Sequence, residues 1–188
     1  MKKRIIFATG NANKMKEIRE ILSDLGMEIL SMKEAGININ IEENGTTFEE
    51  NAMIKARAIS AMTDDLILAD DSGLEIDYLN KEPGIYSARF MGEDTSYEVK
   101  NQALLDRLSG VKKEMRTARF VCAIAAVFPD KREFTVRRTI EGYIGEKPAG
   151  ENGFGYDPIF FFFFYYCSAA ELIPEKKYDL SLRVKALR

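Results

Sequence analysis

The chain has 188 residues, of which 46% are apolar and 30% charged, and its net charge is −3. This composition is typical of a globular protein of one domain, so we expect residues 1–188 to form a single domain. The weakly acidic charge argues against a general nucleic-acid-binding surface. No histidine is present, which excludes hydrolases with a histidine base and histidine-ligated zinc sites.

The sequence also argues against secretion and membrane insertion. The longest apolar run, Ile159–Cys167, is far shorter than the roughly 20 residues that cross a bilayer. The apolar segment near the N-terminus is too short for a signal peptide. Cys122 and Cys167 show no disulfide or metal spacing. We therefore predict a cytoplasmic protein without a membrane partner.

The first predicted elements are a strand over Lys2–Ala8 and a helix that runs to about Leu25 and ends at Gly26. The segment TGNANK joins them and contains Thr9, Gly10, Asn11, Ala12, Asn13 and Lys14. Backbone amides at a helix N-terminus, together with a lysine in the first turn, favour anion binding. An ordinary turn and helix cap is the alternative.

A second strand is predicted over Met27–Met32. Thr47 and Glu50 have the spacing of a capping box and predict a helix to about Met62. Two acids, Glu42 and Glu43, lie in the turn before this helix. Lys55 lies two turns into the helix, where it could face a ligand or lie on a solvated face.

The stretch Leu66–Ala69 is predicted to be a buried strand, and it ends in the adjacent carboxylates Asp70 and Asp71. Side chains of a strand alternate between faces, so these two should point in opposite directions. Burying an unpaired carboxylate is costly, which points to a metal, a cation or a rim position. The alternative is a polar exit from the strand into a turn at Ser72.

Further along, Thr95 and Glu98 predict a helix to about Leu108. Strands over Thr117–Phe128 and Glu133–Ile144 are predicted to form a hairpin at the centre of the sheet. The run Phe160–Tyr166 is predicted to be a buried strand, and the basic tail Pro174–Arg188 a helix.

The segment Gly150–Asp157 is rich in glycine, which lets backbone approach a ligand closely. Phe154 and Tyr156 could stack on a flat ring. A hairpin with packing aromatic residues explains the same composition.

Taken together, these stretches resemble the inosine triphosphate pyrophosphatase family, also called Ham1-like. The matching segments are TGNANK (9–14), EENGTTFEENAMIKA (42–56), ADDSGLEI (69–76), PGIYSARF (83–90) and GENGFGYDPIF (150–160), with a weaker match at SLRVKAL (181–187). The resemblance implies an α/β fold with an elongated mixed central sheet flanked by helices, in two lobes with a cleft between them. It also implies a homodimer.

The resemblance further implies Mg²⁺-dependent hydrolysis of the deaminated purine nucleotides ITP, dITP and XTP to monophosphate and pyrophosphate, which cleanses the nucleotide pool. Carried over to this sequence, Asp71 is the catalytic acid and a metal ligand, and Glu43 is the second metal ligand, with Glu42 in reserve. The implied substrate contacts are Thr9, Gly10, Asn11, Ala12, Asn13, Lys14, Lys55, Ser72, Phe154, Gly155, Tyr156, Asp157, Lys177 and Arg183.

The sequence departs from the family pattern at Leu182, where the family has a histidine beside the arginine, and in the aromatic run after Ile159. Two alternatives stay open: a catalytically impaired purine-nucleotide-binding protein, and a Maf-like pyrophosphatase with another base preference. A haloacid-dehalogenase-type phosphatase is rejected, because its Asp-x-Asp motif would place an acid where Gly73 stands.

Overall fold

This computed structural model describes residues 3–188, with the side chain of Lys177 left outside the description. The start of the first predicted strand, Lys2, lies outside the described residues. Six strands form one sheet in the order β2-β1-β3-β4-β5-β6. They are β1 Arg4–Phe7, β2 Glu28–Ser31, β3 Leu66–Ile76, β4 Thr117–Val127, β5 Glu133–Ile144 and β6 Phe160–Phe162.

The sheet is mixed. Strand β1 pairs in parallel with both β2 and β3, whereas β5 and β6 are antiparallel. The helices are α1 Ala12–Ile21, α2 Phe48–Ser60, α3 Tyr97–Arg107, α4 Pro174–Leu180 and α5 Leu182–Leu187. The predicted α/β class with a mixed sheet is confirmed. In the described part of the chain, no helix is both long and apolar enough to cross a membrane.

The chain divides into two compact units. The first comprises the residues up to Asp71, Cys122–Arg138 and Arg183–Arg188, and the second comprises Ser72–Val121 and Thr139–Leu182. The expectation of one domain over residues 1–188 stays a prediction.

The core of the first unit follows from the helical spacing of apolar residues. Helix α1 buries Met15, Ile18 and Ile21. Helix α2 buries Phe48, Ala52, Ala56 and Ile59, and β1 buries Ile5, Ile6 and Phe7. Cys122 is a buried free cysteine of this core.

The first helix is shorter than predicted. It ends at Ile21, a 3₁₀ turn follows over Ser23–Leu25, and Gly26 takes a left-handed conformation with φ 63°. Leu25, predicted to be the last residue of the helix, therefore lies outside it and is exposed. Gly26, predicted to end the helix, instead ends this 3₁₀ turn, because glycine adopts positive φ without a steric penalty.

The core of the second unit is an apolar cluster contributed by β3, α3, β4, β5 and β6. Its fully buried members include Leu74, Ile76, Leu104, Leu108, Ala118, Ile144, Ile159 and Phe160.

Two capping predictions are only partly right. Thr47 caps α2, since its Oγ1 accepts from the Glu50 amide at 3.1 Å. The Glu50 carboxylate, however, accepts from Thr46. Helix α3 is capped by Ser96 and not by Thr95, whose hydroxyl donates to a carbonyl of the preceding turn.

Two strand predictions need correction. The strand predicted over Leu66–Ala69 is too short: β3 continues through Ser72 to Ile76, which rules out the alternative of a turn at Ser72. The strand order puts β3 and β4 at the middle of the sheet, and β5 lies beside the edge strand β6. The predicted centre, β4 with β5, is therefore right only for β4.

The prediction of a buried strand over Phe160–Tyr166 is wrong for its second half. Strand β6 ends at Phe162, and Phe164 and Tyr166 are 89% and 88% exposed. The chain reverses here, because the amide of Phe162 donates to the Cys167 carbonyl at 3.2 Å. Residues 163–166 form the turn between the two paired residues, Phe162 and Cys167. The helical prediction for the tail is confirmed, with Ser181 separating α4 from α5.

Candidate functional site

The residues of the predicted site are divided between the two units, and those of the first unit are described before those of the second. In the first unit, the segment Thr9–Lys14 connects β1 to α1. The Asn11 side chain caps the helix, since its Oδ1 accepts from the amides of Asn13 at 2.9 Å and Lys14 at 3.1 Å. The Asn11 amide in turn donates to Thr9 Oγ1 at 3.1 Å. The loop is thus held by its own side chains and stays largely exposed.

Because β3 is a continuous strand, the predicted alternation of Asp70 and Asp71 is confirmed, and the two carboxylates meet different partners. Asp70 is only 1% exposed. Its carboxylate accepts from Lys14 Nζ at 3.1 Å and from Arg183 Nη2 at 3.1 Å. Arg183 also pairs with Glu17 of α1.

The charges around Asp70 decide its ionisation. Burial alone would raise its pKa, but the cations of Lys14 and Arg183 outweigh burial and lower the pKa of Asp70 to about 2. Asp70 is therefore an anion at neutral pH that pairs with both cations. Lys14 and Arg183, both predicted to contact substrate, are held together by this one carboxylate.

Asp71 has a different environment on the other face of β3. Burial and the neighbouring Glu43 carboxylate raise the pKa of Asp71 to about 6, against the opposing effects of Lys55 and a hydrogen bond from Asn51. Its Oδ2 is buried and has no hydrogen-bond partner in the described part of the chain, from which the Lys177 side chain is excluded. A carboxyl group with a pKa near neutrality and one unused oxygen can exchange protons at physiological pH.

Glu43 and Lys55 form an ion pair beside Asp71. Lys55 Nζ lies 3.0 Å from Glu43 Oε1, and the side chains are 16% and 30% exposed, respectively. The alternative of a solvated face for Lys55 is therefore wrong. Glu42, one residue earlier, is exposed.

The donor set of this unit fits a Mg²⁺ ion. Magnesium usually binds one or two carboxylates and completes its shell with waters and substrate phosphates. Glu43 and Asp71 supply these carboxylates, and the unpartnered Asp71 Oδ2 is an available ligand oxygen. Within the described part of the chain, no group of three or more acidic, histidine or cysteine side chains could hold a metal ion. Waters and substrate phosphates would therefore have to complete the coordination shell.

The second unit contains the other predicted site residues. Ser72 follows Asp71 on β3, and its buried hydroxyl has no hydrogen-bond partner among the described side chains and backbone groups. Lys177 lies in α4, and its side chain is outside the described residues.

Of the two aromatic rings in the glycine-rich segment Gly150–Asp157, one is exposed and one is buried. Phe154 is 74% exposed, and its amide donates to Asp157 Oδ2 at 3.0 Å. Tyr156 is buried, packs edge-on against Tyr97 and donates its hydroxyl proton to the Ser87 carbonyl at 2.5 Å. Phe154 is therefore the ring that is accessible for stacking.

Two residues of the first unit went unrecognised in the sequence. Glu17 pairs with Arg183, a contact 166 positions apart that no local pattern indicates. Asn51 lies on the buried face of α2, three residues after Phe48. The available signal for Asn51 was a polar residue with low helix propensity at a position that the helical spacing from Phe48 places in the core.

Comparisons with known proteins agree with one another. The model of the Ham1 family matches residues 5–188. A dITP/XTP pyrophosphatase of Bacillus subtilis strain 168 is 46% identical over 186 residues, which is 99% of this chain and 94% of that protein. A dITP/XTP pyrophosphatase of an Exiguobacterium species, strain AT1b, is 48% identical over 185 residues, which is 98% of this chain and 93% of that protein.

Solved structures give the same result. The Staphylococcus aureus Ham1 protein has a TM-score of 0.91 at 39% identity, covering 98% of this chain and 94% of its own. A nucleoside-triphosphatase, dITP/XTP pyrophosphatase, from Mycobacterium abscessus has a TM-score of 0.84 at 40% identity, covering 98% and 96%.

Proposed function

Because this chain belongs to the Ham1 family, we propose that it hydrolyses the deaminated purine nucleotides ITP, dITP and XTP to monophosphate and pyrophosphate with Mg²⁺. Relatives named dITP/XTP pyrophosphatase that span nearly the whole chain support the substrate class. The proposed role is to remove these nucleotides from the nucleotide pool. We also propose that the protein acts in the cytoplasm. We also propose a homodimer, which light scattering on the purified protein tests.

The observation that carries the proposal is the environment of Asp71. Its buried, unpartnered Oδ2 and its place beside Glu43 suit a carboxylate that binds a metal ion and orients water. In the proposed reaction Asp71 orients the water for attack on the α-phosphorus and takes its proton. The α–β anhydride bond breaks, and pyrophosphate leaves. No histidine is required.

The metal is proposed to bind at Glu43 and Asp71. Bound Mg²⁺ would supply charge neutralisation on the phosphates and lower the pKa of water. Lys14 and Lys55 are proposed to bind the triphosphate, together with the loop of Thr9, Gly10, Asn11, Ala12 and Asn13. A triphosphate needs such cations, since its charge must be compensated as it leaves water.

The purine is proposed to stack on Phe154, whose ring is exposed. Ser72, Gly155, Tyr156, Asp157, Lys177 and Arg183 are the further proposed substrate contacts. Arg183 offers donors that suit the 6-keto oxygen of a deaminated purine. Leu182 stands where the resemblance implies a histidine, and selectivity over ATP is expected to be narrower for that reason.

The test is product analysis. The protein is incubated with ITP, XTP or ATP, in Mg²⁺ or in EDTA, and nucleotide and phosphate products are separated by anion exchange. We expect IMP and XMP with equimolar pyrophosphate, little product from ATP, and none in EDTA. Release of orthophosphate and IDP would refute the reaction type. The Asp71→Asn variant, expected to lose at least about 10²-fold in kcat, shows that the activity is the protein's own.

A catalytically impaired nucleotide-binding protein would give no product with any of these nucleotides. A Maf-like enzyme would prefer other bases in a wider panel.

A further inference from the structure

One buried amide contacts both segments that carry the acids of the proposed metal site. The Asn51 side chain is bonded to the Gly45 amide on one side and to Asp71 on the other. We propose that Asn51 is a positioning residue that sets the Glu43 loop against Asp71 and thereby organises the metal-binding pair. The inference rests on the proposed function, and it concerns a residue that does not itself contact metal or substrate.

The first contact fixes the acidic loop. Asn51 Oδ1 accepts from the Gly45 amide at 2.8 Å, two residues after Glu43. The approach is so close that a Cβ at Gly45 would lie 2.7 Å from Asn51 Oδ1 and 2.8 Å from Glu50 Cβ. Only glycine lets the loop pass this near to α2.

The second contact fixes the catalytic carboxylate. A carboxylate only accepts hydrogen bonds, so the amide must present Nδ2 to Asp71 and Oδ1 to Gly45. Asn51 thus acts on the Asp71 carboxylate as a hydrogen-bond donor. Oδ2 of this carboxylate is left without a protein partner among the described residues. Asn51 therefore holds the carboxylate and leaves one oxygen for a ligand.

The Asn51 side chain is itself buried. It is only 1% exposed, and it belongs to the buried face of α2 with Phe48 and Ala52. A buried amide is costly unless both its ends are bonded, which the two contacts achieve. Lys55, one helical turn later, shares this side of α2 and pairs with Glu43. One helix face thus contacts both acids of the proposed metal site.

The experiment measures metal binding directly. In the nucleotide-free protein, the dissociation constant for Mn²⁺, used as a spectroscopic substitute for Mg²⁺, is measured by electron paramagnetic resonance. Residues that orient metal ligands typically change metal affinity by about 10- to 100-fold, and we expect that loss for Asn51→Ala. The control is Ser60→Ala, a buried polar residue of the same helix that contacts Lys131. Its thermal stability can fall, but its Mn²⁺ affinity should not.

A second readout is ITP binding in EDTA. Because Lys14 and Lys55 are proposed to carry that binding, Asn51→Ala should change it by no more than about twofold. If Asn51→Ala lowers only the thermal stability and leaves the Mn²⁺ constant at the wild-type value, Asn51 is structural and the inference is wrong. If Asn51→Ala does not fold, Gly45→Ala is measured instead, with the same expected loss of Mn²⁺ affinity and the same refuting result.

The proposed function fails in a different way. A wild-type protein that binds no Mn²⁺ and hydrolyses ITP equally well in EDTA would refute the metal site, and the role of Asn51 with it. Wild-type binding with an unchanged constant in Asn51→Ala refutes the role of Asn51 alone.

Discussion

Asp70 and Asp71 are adjacent on one strand, yet replacing each with asparagine should change stability in opposite directions. Asp70 is enclosed by the cations of Lys14 and Arg183, whereas Asp71 is buried beside a second carboxylate, Glu43. Asparagine keeps the shape of the side chain and removes the charge. The pair therefore separates the electrostatic environment of each carboxylate from its packing.

For Asp70→Asn we expect a loss of stability. Lys14 is partly exposed and Arg183 keeps its pair with Glu17, so the loss should be smaller than that of a fully uncompensated buried charge. The lowering of the Asp70 pKa from 3.8 to about 2 corresponds to about 2–3 kcal/mol. For a chain of this length, about 2–4 °C in Tm correspond to each kcal/mol, so Tm should fall by about 4–12 °C. Since the pKa of Asp70 is lowered to about 2, the difference from wild type should be full near neutral pH and shrink as the pH falls below about 4.

For Asp71→Asn we expect a gain in stability in the metal-free protein. The pKa rises from 3.8 to about 6, and at about 1.4 kcal/mol per pKa unit the ionised carboxylate costs up to about 3 kcal/mol. This cost is absent below about pH 4 and grows up to about pH 6, because in this range Asp71 ionises in the unfolded chain but stays protonated in the folded one. It is complete above about pH 7. The variant should nevertheless be nearly inactive, and Asp70→Asn should lose less activity than Asp71→Asn.

The assay is urea denaturation in EDTA between pH 3 and pH 8, on the assumption of a cooperative transition that two probes must confirm. Asp65→Asn is the control, because Asp65 pairs with Arg4 at the surface and such pairs contribute about 0–1 kcal/mol. Changes of the same sign for Asp70→Asn and Asp71→Asn at pH 7 would refute the reasoning. So would a loss for Asp70→Asn no larger than that of the control.

Three further predictions concern the lysines of the proposed phosphate site, the aromatic run and position 182. Lys14→Ala and Lys55→Ala should each raise the Kd for ITP, by a factor that shrinks as salt is added, and a Kd unaffected by either change would exclude both as phosphate ligands. Phe160→Ala should cost about 3–5 kcal/mol in urea denaturation because Phe160 is fully buried, whereas Phe164→Ser should cost less than about 0.5 kcal/mol; equal losses would contradict the chain reversal. Leu182→His should increase the kcat/KM ratio of ITP to ATP by about 2- to 10-fold, the value of one hydrogen bond, and an unchanged ratio would show that position 182 does not face the base.

Much of this protein could be predicted from the sequence because the relevant interactions are local. Each helix cap, at Asn11 and at Thr47, involves residues within one helical turn. The apolar spacing of α1 and α2 repeats within one or two turns. The alternation of Asp70 and Asp71 follows from strand geometry alone. The five motifs that resemble the Ham1-like family are also linear features, and they indicated the family and its chemistry.

Only the tertiary structure decided what each carboxylate does, because its partners are distant along the chain. Asp70 meets Arg183 across 113 positions and Lys14 across 56, while Asp71 lies with Glu43 and Asn51. A pKa depends on burial and on neighbouring charges, and neither can be deduced from two adjacent aspartates in a sequence. The aromatic run shows the same limit: hydrophobicity predicted a buried strand, but pairing of the chain across the reversal left Phe164 exposed.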